Sequence, residues 1–505
     1  MVPLMECPVL DQVRTTVSKH ASEPAVVGID RTITYEELWS TVERTGVALG
    51  ERLAPNSVVA IRARGGVDLP GLFLGVRAAG AVPFLLDSYL PRERAENLLA
   101  AVRPAAVIHE ASEPRISTGV ANARILPDEA GYVTFTSGSQ GAPKGIIGNA
   151  RGLAAFLDWE NDELDLEPGF RAAMLTSPSF DVVLREMLVP LVRGGRLHVA
   201  GPGVRTDARS VLAWLRAEDI DLVHLVPSLS TRWLAGNTTT APGLRWSLFA
   251  GEPLYARHVR QWRQAAPRTR IGNLYGPSET TLAKFWFTGD GPDAGLWPVG
   301  HPLPGTVLRQ LPDATSQTGQ TFRTVIETPD GSLGYLDPEL HPDAAATLSR
   351  RDGVTAFETQ DRGRLTPQGA LVVEGRLDSV VKRRGVAVDL ASITAAALSE
   401  PGVRAACCLQ VDRDIDGDLV LALETDAVVG DRELVNALRA ALGPSMPDAV
   451  LAVAKLPRLP SGKVNASVVE DDLRRGDTQG ALLLGGIRGR VSAAQEPAGG
   501  REAGH

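Results

Sequence analysis

Apolar and polar positions alternate in two distinct rhythms along this chain. Short apolar runs at Val58–Ile61, Val82–Leu86, Ala105–Ile108, Ala172–Leu175, Leu222–Val226 and Ile271–Leu274 read as buried strands. Between them, Pro91–Val102, Val182–Val192, Ala208–Ala217 and Ala256–Ala265 repeat their apolar residues every three or four positions, as helices with one buried face do. Strands alternating with helices predict α/β layers around largely parallel sheets. From Pro298 to about Glu374 the runs shorten and Gly, Pro and Asp crowd in, which predicts a small antiparallel, barrel-like β unit. After Asp378 the order strand, helix, strand, strand, helix, strand predicts a compact α+β domain ending near Leu473. The expected organisation is therefore a large domain over 1–377, a small one over 378–475, and an unstructured tail over 476–505 that is rich in Gly, Ala and charge.

Composition narrows the function classes. The chain has 505 residues, 44% of them hydrophobic and 22% charged, with a net charge of −8. Those values exclude bulk disorder, and an acidic chain without a basic run has no field that would gather nucleic acid. The three cysteines, Cys7, Cys407 and Cys408, cannot build a disulfide framework and have no zinc-ligand spacing. Neither a secretory signal at Met1–Gln12 nor a membrane span is expected, since the most apolar stretch, Leu69–Leu86, is interrupted by Arg77. A cytoplasmic location follows as an expectation.

Candidate chemistry begins at Tyr132-Val-Thr-Phe-Thr-Ser-Gly-Ser-Gln-Gly-Ala-Pro-Lys-Gly145, where an alternating strand runs into a loop of hydroxyls, glycines and one lysine. Glycines let backbone N–H groups face a phosphate, hydroxyls donate further hydrogen bonds, and Lys144 adds a positive charge. The spacing does not fit the GxxxxGK[ST] phosphate loop. Only six basic residues are lysine against 46 arginines, so Lys144, Lys382 and Lys463, each within three residues of a glycine, stand out as compact, rotatable cations that arginine cannot mimic.

Four segments together resemble, in order and spacing, the core motifs of the adenylate-forming enzymes: Thr136–Gly145, Asn273-Leu-Tyr-Gly-Pro-Ser-Glu-Thr-Thr281, Gly375-Arg-Leu-Asp-Ser-Val-Val-Lys-Arg-Arg-Gly385 and Leu459-Pro-Ser-Gly-Lys-Val464. Ile33–Leu38 and Ala78–Arg94 add to the match, which covers about residues 20 to 473 and is most similar to stand-alone amino-acid adenylation domains of nonribosomal peptide synthesis. The resemblance implies an ATP- and Mg2+-dependent ligase that joins a carboxylate to the α-phosphate with loss of pyrophosphate, then passes the acyl group to a thiol. It also implies a small C-terminal domain that is mobile, with Asp378 as the hinge.

The same resemblance gives roles to individual residues. Thr136, Ser137, Gly138, Ser139 and Lys144 would hold the β- and γ-phosphates, and Glu279, beside Thr280, would help bind Mg2+, a hard cation that prefers oxygen ligands. Asn273 would bond the adenine amino group, Tyr275 would stack on its ring, and Asp361 with Arg376 would bind the ribose. Lys463 would bridge substrate carboxylate and nucleotide, and Asp378 and Lys382 belong with it among the catalytic residues. Asp181, Val182, Arg185, His224, Leu248, Ala250, Leu274, Leu282 and Ala283 would line the amino-acid pocket. Asp181 would take the ammonium, although an aspartate before Val182–Val192 could equally be a helix cap.

That pocket resembles the family's serine type except that Arg185 replaces a tryptophan and Ala283 an aspartate. The shift toward positive charge favours a small polar α-amino acid with an anionic or strongly hydrogen-bonding side chain, unless Arg185 pairs with Glu186 or another acid. No carrier or condensation motif is present in the chain, so the expected acceptor is the phosphopantetheine thiol of a separate carrier protein. Two other readings stay open at this point: an acyl/aryl-CoA or amide ligase of the same superfamily, and an inactive binding homologue.

Overall fold

The computed structural model describes residues 7–109, 115–120, 122–136, 143–313, 320–383, 386–411, 418–425, 431–459, 462–475, 477 and 480–484. The chain divides into two compact units, one of residues 1–359 with 363–373, the other of 360–362 with 374 onward. The boundary lies four residues before the position expected from sequence, and three residues of one long strand, Val354–Leu365, belong to the second unit.

Two large mixed sheets form the first unit. In one, the strands run in the order His301–Pro302, Phe285–Thr288, Arg270–Tyr275, Trp246–Ala250, Leu222–Leu225, Arg171–Met174, Arg196–Val199, Pro24–Val27 and Thr32–Thr34. Its centre is parallel and its margins antiparallel. The other sheet places Val58–Ala63, Val82–Asp87 and Ala106–His109 in parallel, with Ala130–Thr136 beside Val82–Asp87. All six strands and all four helices read from periodicity are present within one or two residues.

Local chemistry fixes the helix starts. Thr34 and Glu37 form a reciprocal capping box ahead of Tyr35–Gly50, and the Asn149 side chain accepts from Arg151 and Gly152 N–H at the start of Ala150–Leu164. Tyr35, fully buried, donates its hydroxyl to the Gly195 carbonyl at 2.7 Å and so ties that helix to the central sheet.

The segment from Pro298 to Glu374 is antiparallel as expected, but it is not a barrel. Val307–Pro312, Phe322–Thr328, Val354–Leu365 and Leu348–Arg351 make an open sheet with Leu371–Arg376 against the long strand, and no closed barrel occurs among the described residues. Closure needs the first and last strands to pair, and the short Leu348–Arg351 remains an edge.

The second unit carries the hairpin Val380–Arg383/Val386–Asp389, helix Leu390–Ser399, and a sheet of Val403–Val411, Asp418–Thr425, Ala449–Val453 and Gly480–Leu484, with helices Asp431–Leu442 and Ala466–Arg475. Gly480–Leu484 lies in the expected unstructured tail. It was hidden by its flanks, because a five-residue run of Gly-Ala-Leu-Leu-Leu shows no alternation to read, yet it pairs antiparallel with the central Ala449–Val453.

Gly272, in the middle of a sheet strand, is required by close packing. A Cβ there would lie 2.2 Å from the Trp286 ring and 2.7 Å from Leu248. Gly272→Ala is therefore expected to destabilise the first unit by about 1–3 kcal/mol through overpacking, measured by denaturant unfolding, with Leu248 displaced.

Candidate active site

The first site is built where a hairpin opens. Thr136 ends the strand Ala130–Thr136 and Lys144 begins Lys144–Asn149, and the two are paired directly across the antiparallel ladder. The described ends of the hydroxyl- and glycine-rich segment are thus neighbours across the ladder, one carrying the hydroxyl and the other the ammonium. Ser137, Gly138 and Ser139 lie outside the described residues.

Glu279 sits in the single turn Ser278–Thr280 and is mostly buried, with Thr280 fully so. Tyr335 donates its hydroxyl to Glu279 Oε1 at 2.8 Å, and Tyr335 itself is held against Ile146 on the strand that starts at Lys144. Burial raises the Glu279 carboxyl above its usual range, opposed by the Tyr335 hydrogen bond and the nearby Lys144 charge. The residues that follow are strained: Thr281 and Leu282 adopt φ of 65° and 56°, a region that non-glycine residues, β-branched ones above all, rarely enter. A buried carboxylate within electrostatic reach of Lys144 fits a hard divalent cation and a polyphosphate.

Strand Arg270–Tyr275 separates two functions by its pleat. His224, Leu248 and Gly272 are in register across three parallel strands, as are Ala250 and Leu274 one pleat on, so all five share one face of the sheet. Asn273 and Tyr275 point to the other face. There the Asn273 amide donates to the Pro298 carbonyl at 2.8 Å, leaving its oxygen as an acceptor suited to an amino group, and Tyr275 packs against Phe285 with ring centroids 5.8 Å apart. The residues assigned to adenine and those assigned to the substrate side chain therefore separate as alternate positions must.

Asp181 precedes helix Val182–Arg193, but its side chain makes no capping hydrogen bond, so the alternative helix-cap role does not apply. It borders a small cleft with Tyr132, Thr134 and Phe180. The loop leading to it is pinned at both ends. Ser177 donates to the Asp87 carboxylate and Ser179 accepts from Asp87 N–H at 2.9 Å, while buried Glu186 accepts from Leu175 N–H, Thr176 N–H and the Thr176 hydroxyl. Two segments singled out separately in the sequence, around Asp87 and around Asp181, are thus one structural unit.

Next to Asp181, Val182 is half-buried, and Arg185 is 3% exposed on the same helix. Arg185 does not pair with Glu186 or any other acid: it forms no hydrogen bond or ion pair among the described residues, and its Nε is enclosed without a partner. Burial lowers its pKa, opposed by the charges of Glu160, Glu186 and Asp181. Leu282 and Ala283 are buried in the same core as Leu248 and Leu274.

Sequence reasoning missed Glu160. It is 1% exposed and its Oε1 lies 2.6 Å from His224 Nε2. A signal existed, since helix Ala150–Leu164 buries Leu153, Phe156, Leu157, Glu160, Asn161 and Leu164 at helical spacing, which places a carboxylate within an apolar stripe. Trp286, lying over Gly272 and donating to Glu163 at 2.9 Å, was missed as well.

In the second unit, Asp361 and Arg376 are brought within 3.9 Å of each other. Asp378 falls in the turn Leu377–Ser379, and Lys382 is paired with Ala387 in the following hairpin; their side chains lie outside the described residues. Lys463 is half-buried just after Gly462, whose φ of 87° turns the chain, and Lys463 C=O accepts from Leu459 N–H at 2.8 Å. Buried Glu424 braces this turn through Arg458, which reaches Glu424 at 3.1 Å and the Gly462 carbonyl at 3.0 Å.

A family model described as AMP-binding enzyme matches residues 13–322. Phosphinothricin tripeptide synthetase PhsC of Streptomyces viridochromogenes is 30% identical over 525 residues, covering 94% of this chain and 46% of that protein. The L-proline--[L-prolyl-carrier protein] ligase of Pseudomonas fluorescens is 26% identical over 496 residues, covering 89% of this chain and 96% of that one. The fold is shared with a four-domain nonribosomal peptide synthetase, AB3403, solved with AMP and glycine, at TM-score 0.78 and 22% identity over 91% of this chain and 36% of that chain. The chain belongs to the AMP-binding enzyme family, the adenylate-forming superfamily. It spans less than half the length of several curated relatives, PhsC among them.

Because burial opposes ionisation of Glu279, Glu279→Gln is expected to keep the fold and to unfold at the same or a higher temperature than wild type at pH 8. The advantage fades as pH falls and the wild-type carboxyl takes up its proton, which thermal unfolding across pH would follow.

Proposed function

We propose that the protein activates a small polar or acidic α-amino acid with ATP, forming an aminoacyl-adenylate and pyrophosphate, and then delivers it to the phosphopantetheine thiol of a separate carrier protein. The observation that carries this reading is Asp181, whose side chain makes no helix-cap hydrogen bond and borders a small cleft with Tyr132, Thr134 and Phe180. A carboxylate there suits a substrate ammonium, which aryl and fatty acids lack. Family membership and the opposite-face arrangement of Asn273 and Tyr275 support the nucleotide half of the reading.

In this mechanism the hydroxyl of Thr136 and the ammonium of Lys144 orient the phosphates, and Asp361 with Arg376 serves the ribose. Glu279 would hold Mg2+, which when bound neutralises charge developing on the leaving pyrophosphate. Lys463 supplies a preorganised cation for the substrate carboxylate as the two anions are joined. The bracing by Glu424 and Arg458 keeps that lysine's backbone in one conformation, so little reorganisation is needed during reaction. Asp378 serves as the hinge that permits the second half-reaction. Three buried cysteines without a disulfide among the described residues accord with a reducing, cytoplasmic setting, and no described helix is long and apolar enough to cross a membrane.

Exchange of labelled pyrophosphate into ATP is expected with α-amino acids and not with aryl or fatty acids; preference for an aryl acid would refute the amino-acid reading. Lys463→Ala should lose about 10²–10³ of the exchange rate, and a variant retaining more than about a tenth would refute its role. Carrier proteins encoded nearby should be charged in loading assays, whereas transfer to coenzyme A or a free amine alone would point to another acceptor.

A further inference from the structure

Arg185 is a buried guanidinium with nothing to bind. It is 3% exposed, yet none of its five N–H donors has a partner among the described residues. The acids whose charge reaches it form no ion pair with it among the described residues. Glu186 accepts three hydrogen bonds from Leu175 and Thr176, Glu160 meets His224 at 2.6 Å through Oε1 while its Oε2 has no hydrogen-bond partner, and Asp181 is assigned to the substrate ammonium. The residues expected to line the pocket with it, Leu248, Leu274, Leu282 and Ala283, are buried and apolar and their side chains offer no lone pairs.

Of the three guanidinium nitrogens, Nε is the one sealed without a partner, so the two Nη atoms keep accessible surface. A planar pair of donors with that surface, in an otherwise apolar wall, matches the two oxygens of a carboxylate, phosphate, phosphonate or sulfonate. Lysine or a neutral donor would not present this fork.

We infer that the amino acid activated by this protein carries an oxyanion at the end of its side chain and that Arg185 grips it, an inference that rests on the adenylation reading above. Glu160 makes its hydrogen bond to His224 and no ion pair with Arg185 among the described residues, although its charge is the largest that favours the ionised guanidinium. The ammonium at Asp181 and the side-chain oxyanion at Arg185 are then recognised from neighbouring positions on one helix start, which ties selection to a short, polar side chain.

The test compares matched acids and neutral isosteres in pyrophosphate exchange: aspartate with asparagine, glutamate with glutamine, and O-phosphoserine with serine. The best substrate is expected to be the anionic member of a pair, at least about tenfold over its neutral partner, and which pair responds tells carboxylate from phosphate. Arg185→Met should lower kcat/KM for that acid about 100-fold or more and abolish or reverse the preference. Binding gives a second readout without turnover: the free amino acid should raise the unfolding temperature of the wild type but not of Arg185→Met. The variant alone should unfold no lower than the wild type, because an unpaired buried charge has been replaced by an apolar chain.

A neutral or apolar amino acid preferred by the wild type overturns the inference while leaving adenylation intact. So does an unchanged acid-to-amide ratio in Arg185→Met. If that variant instead unfolds early, and Glu160→Gln does so to the same extent, Arg185 and Glu160 form a structural pair and the inference falls. Exchange with no amino, aryl or fatty acid at all overturns the adenylation reading and this inference with it.

Discussion

Three ionisable side chains, Glu160, Arg185 and His224, are shut into one apolar layer between two helices and a sheet face, and the pocket depends on how they are satisfied. Glu160 Oε1 and His224 Nε2 meet at 2.6 Å with almost no exposure, while Glu160 Oε2 and His224 Nδ1 have no hydrogen-bond partner. In such a medium an ion pair or charge-assisted hydrogen bond is strong, but an unmatched charge is costly. Arg185 makes no hydrogen bond at all among the described residues. Its burial is tolerable where a ligand or bound solvent completes its hydrogen bonds, so the pocket's chemistry is written in what the protein leaves unpaired.

The sheet makes this possible by keeping chemistries apart with the simplest available device. Successive residues of Arg270–Tyr275 face opposite sides, so Leu274 lies on one face with Ala250 while Asn273 and Tyr275 lie on the other. Gly272 completes the arrangement by giving up its side chain to the Trp286 ring. The Asp87 and Glu186 carboxylates then fix the loop that delivers Asp181, spending two buried acids on positioning rather than on the ligand.

Much of this was legible from the chain alone, for identifiable reasons. Strands and helices of the first unit declare themselves because each is buried on one face or both, so their periodicity is strong. Asn273, Tyr275 and Glu279 were singled out because ordered motifs carry them, and the pleat explains the spacing of the first two. Glu160 was not found because its partner, His224, is 64 residues away, and only the folded chain shows that a carboxylate in an apolar stripe has a mate. The sheet after Pro298, expected to be barrel-like, is open among the described residues, because turn residues announce antiparallel strands but not whether the first and last of them meet. Strand Gly480–Leu484 escaped because short apolar runs among Gly and Ala carry no period.

The proposed adenylate is also the species that tests the account most directly. The protein would be incubated with ATP, Mg2+ and an equimolar mixture of amino acids and aryl acids, and the activated acyl group captured with hydroxylamine and weighed by mass spectrometry. The account predicts one dominant hydroxamate, that of an α-amino acid whose side chain ends in an oxyanion. A hydroxamate from an aryl acid, or from an apolar amino acid, would contradict it.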